Sequence, residues 1–144
     1  MTKGKKTFQP LTSSDICRIY EFLHREGIVS FPLTLDAERK TDPLVANVTG
    51  SNFGEARYAT AEEKVVAYLF FLIKDHPFTD GNKRTAVLTF EIICDMNDLE
   101  PRYADFGLDE LAVFIERIQE QDHQQVIKTL RALLFTDTHN GVLD

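Results

Sequence analysis

The feature that most constrains this chain is an unbroken apolar run, Val65-Val-Ala-Tyr-Leu-Phe-Phe-Leu-Ile73, that halts at His76-Pro77. Nine consecutive apolar residues leave no polar face for solvent, so the element they form lies deep in the core. A buried strand is one solution. The preceding Thr60-Ala-Glu-Glu63, which fits a capping box, and the full length to Asp75 favour a buried helix instead. Pro77 pushes His76 out of the helical region and stops that helix. A second helix, almost as apolar, is expected from about Asn82 to Met96, carrying Val87, Leu88, Phe90, Ile92 and Ile93. The fold class is therefore all-α, with its two most apolar helices joined by the loop at 76–84.

The rest of the chain fits around that pair. At 144 residues it suits one domain, 1–144, and can bury roughly 68–70% of its unfolded surface. Residues 1–11 read as a loose basic arm. From Thr12 or Ser13 to Glu26, Ile16, Ile19, Tyr20 and Leu23 share one helical face, and Gly27 is a natural helix terminator. Two more helices are expected, Asp109–Gln119 and Asp122–Leu134. Residues 28–59 are different: Pro32, Pro43, Gly50 and Gly54 punctuate short apolar pieces, as in a functional loop with a small β-hairpin or a poorly ordered one.

Composition narrows the function classes. A net charge of −7 argues against a nucleic-acid or anionic-membrane binder, both of which need a basic footprint. No apolar run approaches the roughly 20 residues of a membrane helix, and no apolar stretch follows the basic N-terminus as in a signal peptide. Cys17 and Cys94 lie among isoleucines and read as buried free thiols. His24, His123 and His139 read as surface residues with no metal-site spacing. A cytoplasmic location follows.

Chemistry concentrates in His76-Pro-Phe-Thr-Asp-Gly-Asn-Lys-Arg84. Helix N-termini favour acidic residues, yet the first turn of the Asn82 helix carries Lys83 and Arg84. Backbone N–H groups, a dipole end and two cations make an anion site, and Gly81 lets the backbone approach the anion closely. Asp80, at its mouth, could hold a divalent metal against phosphate oxygens. His76 suits a general base, because imidazole titrates near neutrality. Pro77 and Phe78 would stiffen and anchor the loop. Singly, His76 would be a turn histidine, Asp80 a helix cap, and Lys83 and Arg84 a solvated face. At fixed spacing in one loop, they read as a phosphate-transfer site.

This motif resembles the signature of the Fic/Doc (Fido) family, and more closely its Doc-like, death-on-curing branch. The likeness is strong over about 60–96, from Ala61-Glu-Glu-Lys64 through Thr85-Ala86. It implies a compact helical Fido fold and an enzyme that modifies a Ser, Thr or Tyr hydroxyl of a target protein. His76 would then be the base and Phe78 the loop anchor. Asp80 would bind magnesium bridging the phosphates of ATP, Gly81 and Asn82 would form the anion hole, and Arg84 would hold phosphate. Lys83 stands where AMP-transferring members carry glycine. In the Doc branch this lysine accompanies a reversed nucleotide, so that the γ-phosphate moves. Such members are toxins that phosphorylate elongation factor Tu and are restrained by an antitoxin.

Two departures bear on the reaction. AMP-transferring members carry a second arginine three residues after the first, where this chain has Val87. The family's self-inhibitory pattern, Ser/Thr-x-x-x-Glu-Gly/Asn, is also missing: Thr34…Glu38 and Ser51…Glu55 are followed by Arg39 and Ala56, and Glu26-Gly27 is preceded by Phe22. Restraint would then come from a separate protein. The leading expectation is a Doc-like kinase; the alternatives are a nucleotidyl transferase and a non-catalytic nucleotide- or antitoxin-binding domain. The resemblance also implies a flap before the motif helix that clamps the target peptide by strand addition. Residues 44–49, Leu-Val-Ala-Asn-Val-Thr, β-prone and bracketed by Pro43 and Gly50, are the candidate for it, with a merely structural loop as the alternative.

Overall fold

The computed structural model describes residues 7–102, 107–119 and 121–135. Among them are six helices and one small hairpin: α1 (Ser13–Arg25), α2 (Ala37–Thr49), β1 (Ser51–Asn52), β2 (Glu55–Ala56), α3 (Ala61–Lys74), α4 (Asn82–Met96), α5 (Leu108–Arg117) and α6 (His123–Leu134). The all-α expectation holds.

The nine-residue apolar run is the middle of α3, and every residue from Val65 to Ile73 is buried. Helix α3 touches α2, α4, α5 and α6, so it has no side left for water. Each fully buried Val, Leu, Ile or Phe contributes about 1.5–3 kcal/mol, which makes this helix the main apolar contribution to the fold. Its start is fixed locally: the Thr60 side chain accepts the Glu63 N–H at 3.1 Å. The expected reciprocal bond shifts by one residue, because the Glu63 carboxylate accepts from Ala59 rather than from Thr60. Helix α4 packs on α3, α1 and α5, and α1 closes the layer against α2 and α4.

The region expected to be a flap is mostly helix. Residues 44–49 are the second half of α2, not a strand. The buried positions Ala37, Thr41, Leu44 and Val48 recur at helical spacing, and Thr41 returns its hydroxyl to the Ala37 carbonyl at 2.7 Å. Pro43 costs the helix one hydrogen bond but sits on its exposed side. The hairpin that does form is shorter and later. Ser51 pairs with Ala56 and Asn52 with Glu55 around Phe53-Gly54, both at positive φ as a tight two-residue turn requires. Arg57 ties it to α2, donating to Asn47 at 2.8 Å and Asn52 at 3.0 Å.

The N-terminal arm is also less loose than expected over its described part. Gln9 exchanges two hydrogen bonds with the Asn97 side chain, and Leu11 is buried with its N–H and carbonyl both on the Tyr68 hydroxyl. The lysines of the arm and His139 lie outside the described residues. Helices α5 and α6 fall close to their expected bounds, with Asp122 capping α6 through the Gln125 N–H. Both cysteines are free and buried. Among the described residues, no helix is long and apolar enough to cross a membrane.

Candidate active site

The loop between the two central helices begins with a strained residue. His76 has φ +48°, in the left-handed region that a non-glycine residue enters at a cost of about 1–3 kcal/mol. Pro77 takes His76 out of the right-handed helical region as expected, but the chain turns left-handed instead of extended. Neighbouring contacts hold it there. Pro77 and Phe78 are buried, and the Phe78 ring stacks on Tyr20 of α1 with centroids 4.5 Å apart and planes 19° from parallel.

Asn82 completes the clamp. Its Oδ1 accepts the Phe78 N–H at 2.9 Å, and its Nδ2 donates to the Phe78 carbonyl at 2.9 Å. Phe78 offers one donor and one acceptor, so the amide has only one orientation here. Its Nδ2 therefore faces His76 Nδ1, 3.4 Å away, as a donor. That placement suits the tautomer with its proton on Nε2, which offers a lone pair at Nδ1. The Asn82 side chain is thus a loop pin, buried at 8% exposure, and only its backbone N–H is left for an anion hole.

Gly81, not Asp80, is the N-cap of α4. It stands at φ +73°, and no side chain caps the helix. A Cβ at Gly81 would overlap the Val29 side chain at a strained backbone angle, so the position strongly favours glycine. The first intrahelical bond runs from Thr85 N–H to the Gly81 carbonyl at 2.9 Å, which leaves the N–H groups of Asn82, Lys83 and Arg84 at an uncapped helix end. Asp80 is exposed beside this end, and its charge helps raise the Tyr20 hydroxyl pKa, after burial as the larger cause.

The two cations behave differently. Arg84 is exposed and has no ion pair among the described residues. Lys83 points to α5, where its ammonium lies 3.1 Å from both carboxylate oxygens of Glu116. Val87, where a further arginine would stand in AMP-transferring members, packs against the core. No group of three or more His, Cys, Asp or Glu side chains among the described residues could hold a metal by itself. A lone carboxylate such as Asp80 suits magnesium, which commonly binds through one or two carboxylates plus substrate phosphates.

The structure thus brings His76, Asp80, Gly81, Asn82, Lys83 and Arg84 together at one helix end. Reasoning from sequence missed Tyr20, Val29 and Glu116, which shape this loop from far along the chain. Glu116 alone carried a readable signal: an acid in the last turn of a helix, where the dipole disfavours it.

A family model described as Fic/DOC family matches residues 10–94, more than half of the chain and the whole loop 76–84. The chain belongs to the Fic/DOC family, whose members generally transfer a nucleotide-derived group to proteins. No match was found among curated proteins or among solved structures.

Proposed function

We propose that this protein is a Doc-like kinase that moves the γ-phosphate of ATP to a hydroxyl of a target protein. The observation that carries this reading is the paired cation set, Lys83 and Arg84, at an uncapped helix end, with Val87 packed against the core one turn later. A helix N-terminus with two cations grips a chain of phosphates at one end. The position of a third, AMP-directing cation is filled by a side chain that serves packing.

In the transfer, the target oxygen bonds to the γ-phosphorus and the bridging oxygen to the β-phosphorus leaves with ADP. The hydroxyl proton goes to His76. The lone pair on Nδ1 is the acceptor, because the 3.4 Å contact with the Asn82 amide is weak and a hydroxyl donor can replace it. Asn82 retains both Phe78 bonds while this happens. Backbone N–H groups at 82–84, Lys83 and Arg84 stabilise the charge on the moving phosphoryl group. Magnesium held by Asp80 would neutralise phosphate charge. By family likeness the target is elongation factor Tu and a separate antitoxin restrains the enzyme in the cytoplasm.

The test is to incubate the protein and candidate targets with ATP and magnesium, then weigh the target. A phosphate adduct that disappears in His76→Ala supports the kinase. A nucleotide adduct would establish the nucleotidyl transferase instead, and nucleotide binding without any adduct would leave a binding domain.

A further inference from the structure

Two charges in this fold stand where their own helices disfavour them. Lys83 is a cation in the first turn of α4, and Glu116 is an anion in the last turn of α5. Neither placement stabilises its helix, yet the two meet, with Lys83 Nζ 3.1 Å from both Glu116 carboxylate oxygens. Glu116 does not drift on the surface. Lys74, the last residue of α3, donates to the carbonyls of Glu116 and Ile118 and docks the end of α5 beside the loop. The end of α5 is therefore tied to both flanks of the motif, by backbone before His76 and by side chain after it.

We propose that Glu116 is an internal competitor for Lys83, a carboxylate that an incoming phosphate must displace, and that it sets how tightly the site holds its nucleotide. This rests on reading residues 81–84 as the phosphate site. Glu116 lies beyond the segment that the family model matches, so its role comes from this geometry alone. The exchange is feasible because the pair is two-fifths exposed, at 41% and 36%, and such pairs are weak. A polyphosphate offers more charge and more acceptors than one carboxylate, so it wins the lysine when bound. With the carboxylate present, each binding event must release it, and affinity falls accordingly.

Calorimetric titration of ATP with magnesium, and separately of inorganic tripolyphosphate, into the full chain tests this. Glu116→Gln and Glu116→Ala should each bind both anions roughly two- to fivefold tighter than the parent at low salt, with the gain shrinking as salt rises. In a Lys83→Ala background the same changes should give no gain. Binding by Glu116→Gln that is equal to or weaker than the parent's would overturn the competitor role while leaving the phosphate site intact. A gain of equal size without Lys83 would overturn it too. If no variant binds either anion, the phosphate site itself falls, and the role of Glu116 with it.

Discussion

The Asn82 side chain closes both backbone hydrogen bonds of Phe78, taking its N–H and its carbonyl at 2.9 Å each. A loop residue is thereby satisfied as completely as one inside a helix, and the loop that carries His76 is pinned at Phe78. Removing the amide leaves two buried backbone groups without partners. Asn82→Ala is expected to lower stability by about 2–4 kcal/mol, measured by urea unfolding. Asn82→Asp matches the size of the side chain but sets an acceptor against the Phe78 carbonyl, so it should be no better. A benign Asn82→Asp would mean that volume, not the clamp, is what matters.

Gly81 and Val29 are fitted to each other. Gly81→Ala places a methyl group into the Val29 side chain at a left-handed position, a combination expected to cost about 2–4 kcal/mol. Val29→Ala opens the space, so the double variant should recover part of the loss beyond simple addition. A thermodynamic cycle on the four proteins measures that coupling.

His76 separates chemistry from folding. His76→Ala and His76→Gly both lack the base and should both be inactive in the transfer assay. At φ +48° glycine is unstrained and alanine is not, so the glycine variant should be the more stable of the two by about 0.5–1 kcal/mol. Equal thermal midpoints would argue that the left-handed turn relaxes once the imidazole is gone.

Alkaline pH should weaken the fold in a defined window. Burial pushes the Cys94 thiol from its ordinary 9.0 and the Tyr68 hydroxyl from its ordinary 10.0, each up to about 12. Above those ordinary values the unfolded chain releases protons that the folded chain keeps, so stability falls as pH rises toward about 12. The slope approaches about 1.4 kcal/mol per pH unit for each group. Cys94→Ala should reduce the slope most clearly between about pH 9 and 10, where Tyr68 contributes less than the thiol. The buried thiol of the parent should also resist thiol reagents at pH 8 until the chain unfolds.

The fold was legible where its signals are local. Gly27 ends α1, Thr60 starts α3 and Pro77 stops it, each through a rule that acts within four residues. Helix α2 was hidden because Pro43 and Gly50 look like punctuation and because Thr41 fills a buried position without being apolar. Asp80 looked like a cap, but the left-handed turn at Gly81 gave that position to glycine. Asn82 belonged to the expected anion hole; its side chain instead turns inward and closes both backbone bonds of Phe78. Glu116 could not be paired with Lys83 from sequence, since 33 residues separate them and only the docking of α5 brings them together.

The stack of Tyr20 on Phe78 and the press of Val29 on Gly81 carry one more consequence. The nine residues of the motif are contiguous in the chain, yet their conformation also depends on Tyr20 of α1 and on Val29 beyond it, more than fifty residues earlier. Transplanting the motif between two foreign helices would transfer its functional groups without the mould that aligns them. A truncated chain that begins after α1 would keep every residue named for catalysis and still leave Phe78 without the surface it rests on. Borrowing the motif therefore means moving at least α1, the turn that carries Val29, α3 and α4 as one piece, together with the helices that keep α3 out of water.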